Sequence, residues 1–224
     1  MPAAEPIFVN RRTQLHFFDD VLSALDRGER RHISLLGLRR IGKTMLLDEV
    51  RLRHPNRCIP RLPVDVMVST PEDFALEFLS TVLQSAVNAR QIKRTVTTQP
   101  TSLTAAAALL GEAIVPSVEE ILDLIADSGS YGRLLSKVFA FPSALSDALA
   151  LPILVILDEF QDVSRLQNFK NTDNLWAVIR EALDRRGQVA FVIAGSIVTA
   201  MRKLLHQGND PIFTRFHELE LPPF

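Results

Sequence analysis

The stretch that decides the fold reads RHISLLGLRRIGKTMLLDEVRLR, residues 31–53. Its first part, RHISLLG (31–37), is a short apolar run of strand formers that ends on glycine, and Thr44 to Arg53 is amphipathic. Strand, turn, helix is the reading. The turn carries GLRRIGKT (37–44), in which Gly37, Gly42, Lys43 and Thr44 satisfy every fixed position of G-x-x-x-x-G-K-[ST]. Average residue usage produces such a match in about one chain in a hundred of this length, and in fewer between a strand and a helix, so chance explains it poorly. The glycines let the backbone curl until successive N–H groups point inward, and the helix opening near Lys43 adds the positive end of its dipole. The result is an anion cradle supplied by Gly37, Leu38, Arg39, Arg40, Ile41, Gly42, Lys43, Thr44 and Met45. Within it Lys43 is a compact charge for the outer phosphates, and the Thr44 hydroxyl is placed to ligate a bridging Mg²⁺. The side chains of Arg39 and Arg40 fall outside the required positions and are expected to face solvent or an interface rather than act in catalysis.

The rest of the chain sets the limits. Its 224 residues fit one large domain or one domain with a lid. With 47% hydrophobic and 23% charged residues, disordered, collagen-like and coiled-coil classes are excluded. The formal net charge of -1 provides no global field to gather nucleic acid or anionic lipid, so any polyanion must bind locally. Cys58 is the only cysteine, which rules out an intrachain disulfide or a cysteine-rich zinc site and agrees with a cytoplasmic location. The longest apolar run, Ala148 to Leu157, is about half the length of a membrane-spanning helix, and the N-terminus lacks the features of a secretory signal.

Along the chain, PVDVMVST (63–70) reads as a second strand leading into a helix capped by Thr70, with Pro71 in its first turn and Phe74, Phe78 and Val82 on one face. Residues 91–150 read as a helical segment. It has an alanine-rich piece (103–114), a piece opened by the capping box Ser117 to Glu120, and an amphipathic stretch broken at Pro142. ILVILDEF (153–160) and QVAFVIAGS (188–196) are continuous apolar runs expected to be strands buried on both faces. Between them lies a helix from about Asp173 to Arg186, and further on come a helix around Ile197 to His206 and a short strand HELEL (217–221). Alternating strands and helices predict an open α/β sheet of mostly parallel strands.

The chemistry of a bound metal-nucleotide needs a carboxylate on the metal and a group that orients the attacking water. Asp158 and Glu159 end the most apolar strand, at the edge where α/β sheets bind ligands. Asp158 suits the metal, through water, and Glu159 suits the general base.

Together these segments make the chain similar to the additional-strand, catalytic-glutamate (ASCE) P-loop ATPases. Within them it resembles the AAA+/STAND-type "archaeal ATPase" family in FVNRRTQL (8–15), GLRRIGKT, DEFQ (158–161), AGS (194–196) and PIFTRF (211–216). The resemblance implies a three-layer domain over residues 1–224 with a five-stranded sheet in the order 5-1-4-3-2, strands 2 and 3 being joined through the helical segment. It implies ATP or ADP with Mg²⁺ as ligands, Phe8 and Arg11 near the adenine, Ser196 as a polar sensor beside the γ-phosphate, and Arg215 as a transition-state arginine acting across a subunit boundary. Two positions depart from the pattern: Gln14 stands where relatives carry an acid, and Ser196 where other AAA+ sensors carry asparagine. Relatives continue past the last strand into a helical lid and an effector domain, so the expectation is an ATPase core whose lid lies outside this chain or comes from a partner.

The favoured function is therefore Mg²⁺-dependent ATP binding and hydrolysis used as a conformational switch or motor, with a protein partner or self-association. The alternatives are a slow-turnover regulatory module that stays nucleotide-bound and a helper ATPase on DNA, the last resting on analogy alone. No N-K-x-D motif for guanine is present, and no arginine-bearing lid of a small-molecule kinase is evident. The five histidines have no metal-ligand spacing, Trp176 and Phe191 read as core, and the RGERR cluster (27–31) reads as a solvated face.

Overall fold

The computed structural model describes residues 11–127, 129–195 and 212–223. The sheet holds five parallel strands in the order β2-β3-β4-β1-β5: β1 (His32–Leu36), β2 (Arg61–Pro63), β3 (Ile153–Asp158), β4 (Val189–Gly195) and β5 (Phe216–Glu220). This is the expected order read from the opposite edge. Every residue of β1, β3 and β4 is buried, as continuous apolar runs require when helices cover both faces. The edge positions fall to β5, most of whose residues are exposed or half-buried, and to β2, flanked by Pro60 and ending on Pro63, residues that only an edge strand tolerates.

Alternation along the strands sorts the core into two layers. Ile33, Leu35, Leu154, Ile156, Ala190 and Val192 pack under α1 (Arg12–Asp26) and α2 (Lys43–Arg53). Ile153, Val155, Leu157, Phe191 and Ile193 pack under the helices of the other side. These are α3 (Val64–Met67), α4 (Pro71–Ala89), α5 (Pro100–Leu110), α6 (Val115–Ala126), α7 (Tyr131–Leu149) and α8 (Leu175–Asp184). Helix α1 is not among the elements expected from sequence, although Leu15, Phe18, Leu22 and Leu25 recur at helical spacing and are all buried. Helix α4 begins as expected, with the Asp73 N–H donating to Thr70 Oγ1 at 3.0 Å. Its Phe74 and Phe78 meet Phe139 of α7 at ring-centroid distances of 5.8 and 5.7 Å.

Three sequence expectations are corrected. The second strand is Arg61–Pro63 rather than 63–70, because its partner β3 ends at Asp158, paired with Pro63, and residues beyond have no strand to bond. They turn instead into α3, where the Val68 N–H reaches Val64 O. The capping box at Ser117 is unused: Pro116 fits a first turn, so α6 starts at Val115, and Glu120 pairs with Lys137 and Arg133 on α7. Helix α7 runs unbroken through Pro142, whose ring is buried with Phe141 and Leu145, so packing offsets the lost backbone bond.

At the start of β1, His32 is buried between Phe191 and Phe216. Its Nδ1 accepts the Phe191 N–H at 3.0 Å, which places the proton on Nε2, 3.1 Å from Leu183 O. Burial, aided by the charge of Arg30, pushes its pKa from 6.5 to about 4. The unfolded chain therefore takes up this proton at higher pH than the folded one. The contribution is complete above pH 6.5 and is lost as pH falls toward 4, an expected loss of about 3 kcal/mol from this residue. Urea melts at about pH 7 and about pH 4.5 check it: His32→Gln should lose less stability on acidification than the parent, and equal slopes would assign the effect to other groups.

Candidate active site

The turn after β1 is shaped by steric necessity. A Cβ on Gly37 would lie 3.1 Å from both Ile41 Cγ2 and Leu221 O, so a side chain here would push the Ile41 side chain and the backbone at Leu221 back by a few tenths of an ångström. Gly42 has φ 93°, a left-handed value that disfavours any side chain, and Arg40 holds φ 63°. A non-glycine residue in that region costs of order 1 kcal/mol, and such strain gathers where a loop must keep one shape. Helix α2 starts at Lys43 with no side-chain cap, leaving its first amides available to an anion. Leu38, Arg39 and Arg40 are exposed, as are Thr44 and Met45, while Ile41 is buried beneath the turn.

Lys43 crosses this cradle. Its Nζ donates to Gly37 O and Leu38 O, both at 3.0 Å, and the residue is buried. Burial pushes its pKa down, while Glu159 and Asp158 pull it back up. Behind the loop, buried Arg11 donates from Nη1 to Pro222 O at 2.8 Å and from Nη2 to Ile41 O at 3.3 Å. It thereby ties the start of α1, the loop and the chain after β5 together.

Register brings the acidic strand end to the same place. Ala194 of β4 pairs with Leu35 while Ile193 pairs with Leu157, so Asp158 stands level with the end of β1, two strand spacings or about 10 Å away. Helix α2 spans that gap, and Thr44 Oγ1 donates to Asp158 Oδ2 at 2.9 Å. The Glu159 N–H donates to Asp158 Oδ1 at 3.1 Å, and Arg61 Nη1 to Oδ2 at 3.0 Å. Asp158 is 3% exposed, and burial raises its pKa against the hydrogen bond from Thr44 and the charge of Arg61. Glu159 adopts φ 51°, which ends the strand and opens the 3₁₀ turn Phe160–Asn168. Its Oε2 accepts from Gln161 Nε2 at 2.7 Å.

Gly37 through Met45, Asp158 and Glu159 thus converge at one edge of the sheet, with Arg11 behind them. The donor set suits a metal-nucleotide: a glycine turn for phosphates, one lysine, and a hydroxyl hydrogen-bonded to a buried carboxylate. Arg215 is not brought there. It precedes β5 at the opposite edge, about 15 Å of strand away, where it pairs with Asp184 through Nε at 2.6 Å and Nη2 at 2.9 Å. Phe8 and Ser196 lie outside the described residues.

Sequence reasoning missed Arg61 and Asp48. Arg61 pairs with Ile156, two residues before Asp158, and so points to the same face as the carboxylate. Only strand register reveals this, since the expected strand began after Arg61. Asp48 lies one turn beyond Thr44 on α2, which the helical period alone could have signalled.

No protein-family model matches the chain, and no curated protein matches it by sequence. Solved structures do. A Walker-type ATPase of Pyrococcus abyssi superposes with a TM-score of 0.64 at 21% identity, covering 99% of this chain and 55% of that one. The ORC2 protein of Aeropyrum pernix, solved with ADPNP and ADP, gives a TM-score of 0.52 at 16% identity, covering 99% and 50%; its ADP form gives 0.51 at 17% over the same shares. The chain therefore has the three-layer α/β fold of P-loop ATPases and spans about half the length of these neighbours. Among the described residues no helix is long and apolar enough to cross a membrane.

Proposed function

We propose that this chain binds ATP with Mg²⁺ and hydrolyses it, using the cycle as a conformational switch or motor. The observation that carries this reading is the 2.9 Å bond from Thr44 Oγ1 to Asp158 Oδ2, which joins the glycine turn to the acidic strand end. In this scheme the loop amides and Lys43 bind the outer phosphates, with the lysine exchanging the carbonyls of Gly37 and Leu38 for phosphate oxygens. Thr44 and Asp158 hold Mg²⁺, which when bound neutralises charge on the phosphates. Glu159, one residue beyond the metal carboxylate, orients water and accepts its proton. The experiment is equilibrium binding of a fluorescent ATP analogue together with steady-state phosphate release. Saturable, Mg²⁺-dependent binding with turnover supports the reading, and no affinity for adenine nucleotides overturns it.

One feature favours a slower variant, a regulatory module that stays nucleotide-bound. The Gln161 amide already donates to Glu159 Oε2 at 2.7 Å, a partner that competes with water for this oxygen and lowers its basicity. Protein purified with stoichiometric ADP and showing negligible turnover would select this variant. Half the length of the structural neighbours lies outside this chain, so we further propose that a lid or partner completes the site. Arg215 acts on a neighbouring copy only if it is released from Asp184.

A further inference from the structure

Among the described residues Arg61 is the cation paired with the candidate metal carboxylate, and its position is built rather than incidental. Its side chain is 20% exposed and lies between two acids, Nη1 at 3.0 Å from Asp158 Oδ2 and Nε at 2.9 Å from Asp48 Oδ1. Asp48 is steadied in turn by Arg51 Nη1 at 3.2 Å, and Arg51 Nε donates to Ile59 O at 3.1 Å, which fixes the segment leading into β2. The network runs from the first turns of α2, through the edge strand, to the tip of β3.

Asp158 Oδ2 has two lone pairs, and both are taken, one by Thr44 and one by Arg61. A metal-bound water that donates to this oxygen must displace one of them. Thr44 can stay, because its O–H can point at Asp158 while a lone pair of the same oxygen faces the metal. Arg61 cannot stay, since it brings a like charge to the position the metal's hydration shell needs. Asp48 offers a place to go: its Oδ1 lies 2.9 Å from Nε as an ion pair, but Nε makes no hydrogen bond, so a better-aligned pairing is open there.

We propose that Arg61 is a positioning residue that substitutes for the metal: it holds Asp158 in the metal-free protein and shifts onto Asp48 when Mg²⁺ enters. The inference rests on the Mg²⁺-nucleotide reading of the site. Its consequence is that Mg²⁺ affinity is set by competition with Arg61 and by the quality of its alternative partner.

Titrating Mg²⁺ into protein with a fluorescent ADP analogue tests this through the half-saturating Mg²⁺ concentration. Arg61→Gln should lower that concentration about tenfold, because the competing charge is gone. Asp48→Asn should raise it about threefold, because Arg61 loses its alternative site. Arg61→Lys should restore most of the parent value. Melting temperature in EDTA should fall for Arg61→Gln, which leaves a buried carboxylate without its counter-ion. A purely structural role would lower the melting temperature yet leave all half-saturations at the parent value, and that result overturns the proposal. If Arg61→Gln does not fold, Asp48→Asn decides alone by the same shift. Should the parent bind no ADP at any Mg²⁺ concentration, the nucleotide reading fails separately. Melting against Mg²⁺ alone then decides, a rise in Arg61→Gln that the parent lacks supporting displacement and its absence refuting it.

Discussion

Glu159→Gln is expected to lower steady-state ATP turnover by about 10²–10⁴ while nucleotide affinity stays within about twofold. The substitution keeps the size and planarity of the side chain and removes only its charge and basicity. Glu159 is half-buried at a left-handed position that ends β3, and its backbone N–H serves Asp158, a contact that the amide variant retains. In the proposed complex binding rests on the loop, Lys43 and the Thr44–Asp158 pair, whose hydrogen bonds the change leaves in place. Phosphate release and a binding titration on the same protein separate the two effects. Undiminished turnover would remove Glu159 from the mechanism, and joint loss of both quantities would assign it to the architecture of the site.

Lys43→Ala is expected to weaken nucleotide binding by about a hundredfold or more, because in the proposed complex the charge-assisted hydrogen bonds of this buried ammonium to phosphate would be lost. The same lysine satisfies the carbonyls of Gly37 and Leu38 in the nucleotide-free protein. Its removal should therefore also cost about 1–3 kcal/mol of stability, visible as a melting temperature lowered by a few degrees. That side effect makes the comparison informative. A variant that is folded, slightly less stable and unable to bind matches the assignment, whereas a folded variant with parental affinity would show that the turn is not a phosphate cradle.

The parts of the candidate site that the sequence pointed to were those built on fixed spacing. Gly37, Gly42, Lys43 and Thr44 sit in one turn, where local backbone geometry leaves little freedom, and they occupy the places their spacing demands. Asp158 and Glu159 were legible only together with the glycine turn, because two acids closing a buried strand, taken alone, read equally as solvated residues at a strand terminus. Elements without such a constraint were read less well. The second strand and the continuity of α7 through Pro142 each followed from packing far along the chain, while the start of α6 followed from Pro116 in its first turn. Local propensity could not report that Asp158 ends the ladder for β2, or that burial of Pro142 outweighs its missing donor.

The order of local elements, the doubly buried strands and the chemistry of the glycine turn belong to the sequence, because they arise from backbone sterics and periodicity over a few residues. Which charges meet was decided only by tertiary structure. Strand register set Arg61 against Asp158 and α2 carried Asp48 to the same guanidinium, while the start of β5 kept Arg215 at the far edge with Asp184. The physical reason is that charge pairing acts over a few ångströms, and only the folded sheet brings residues 97 positions apart, Arg61 and Asp158, within that range.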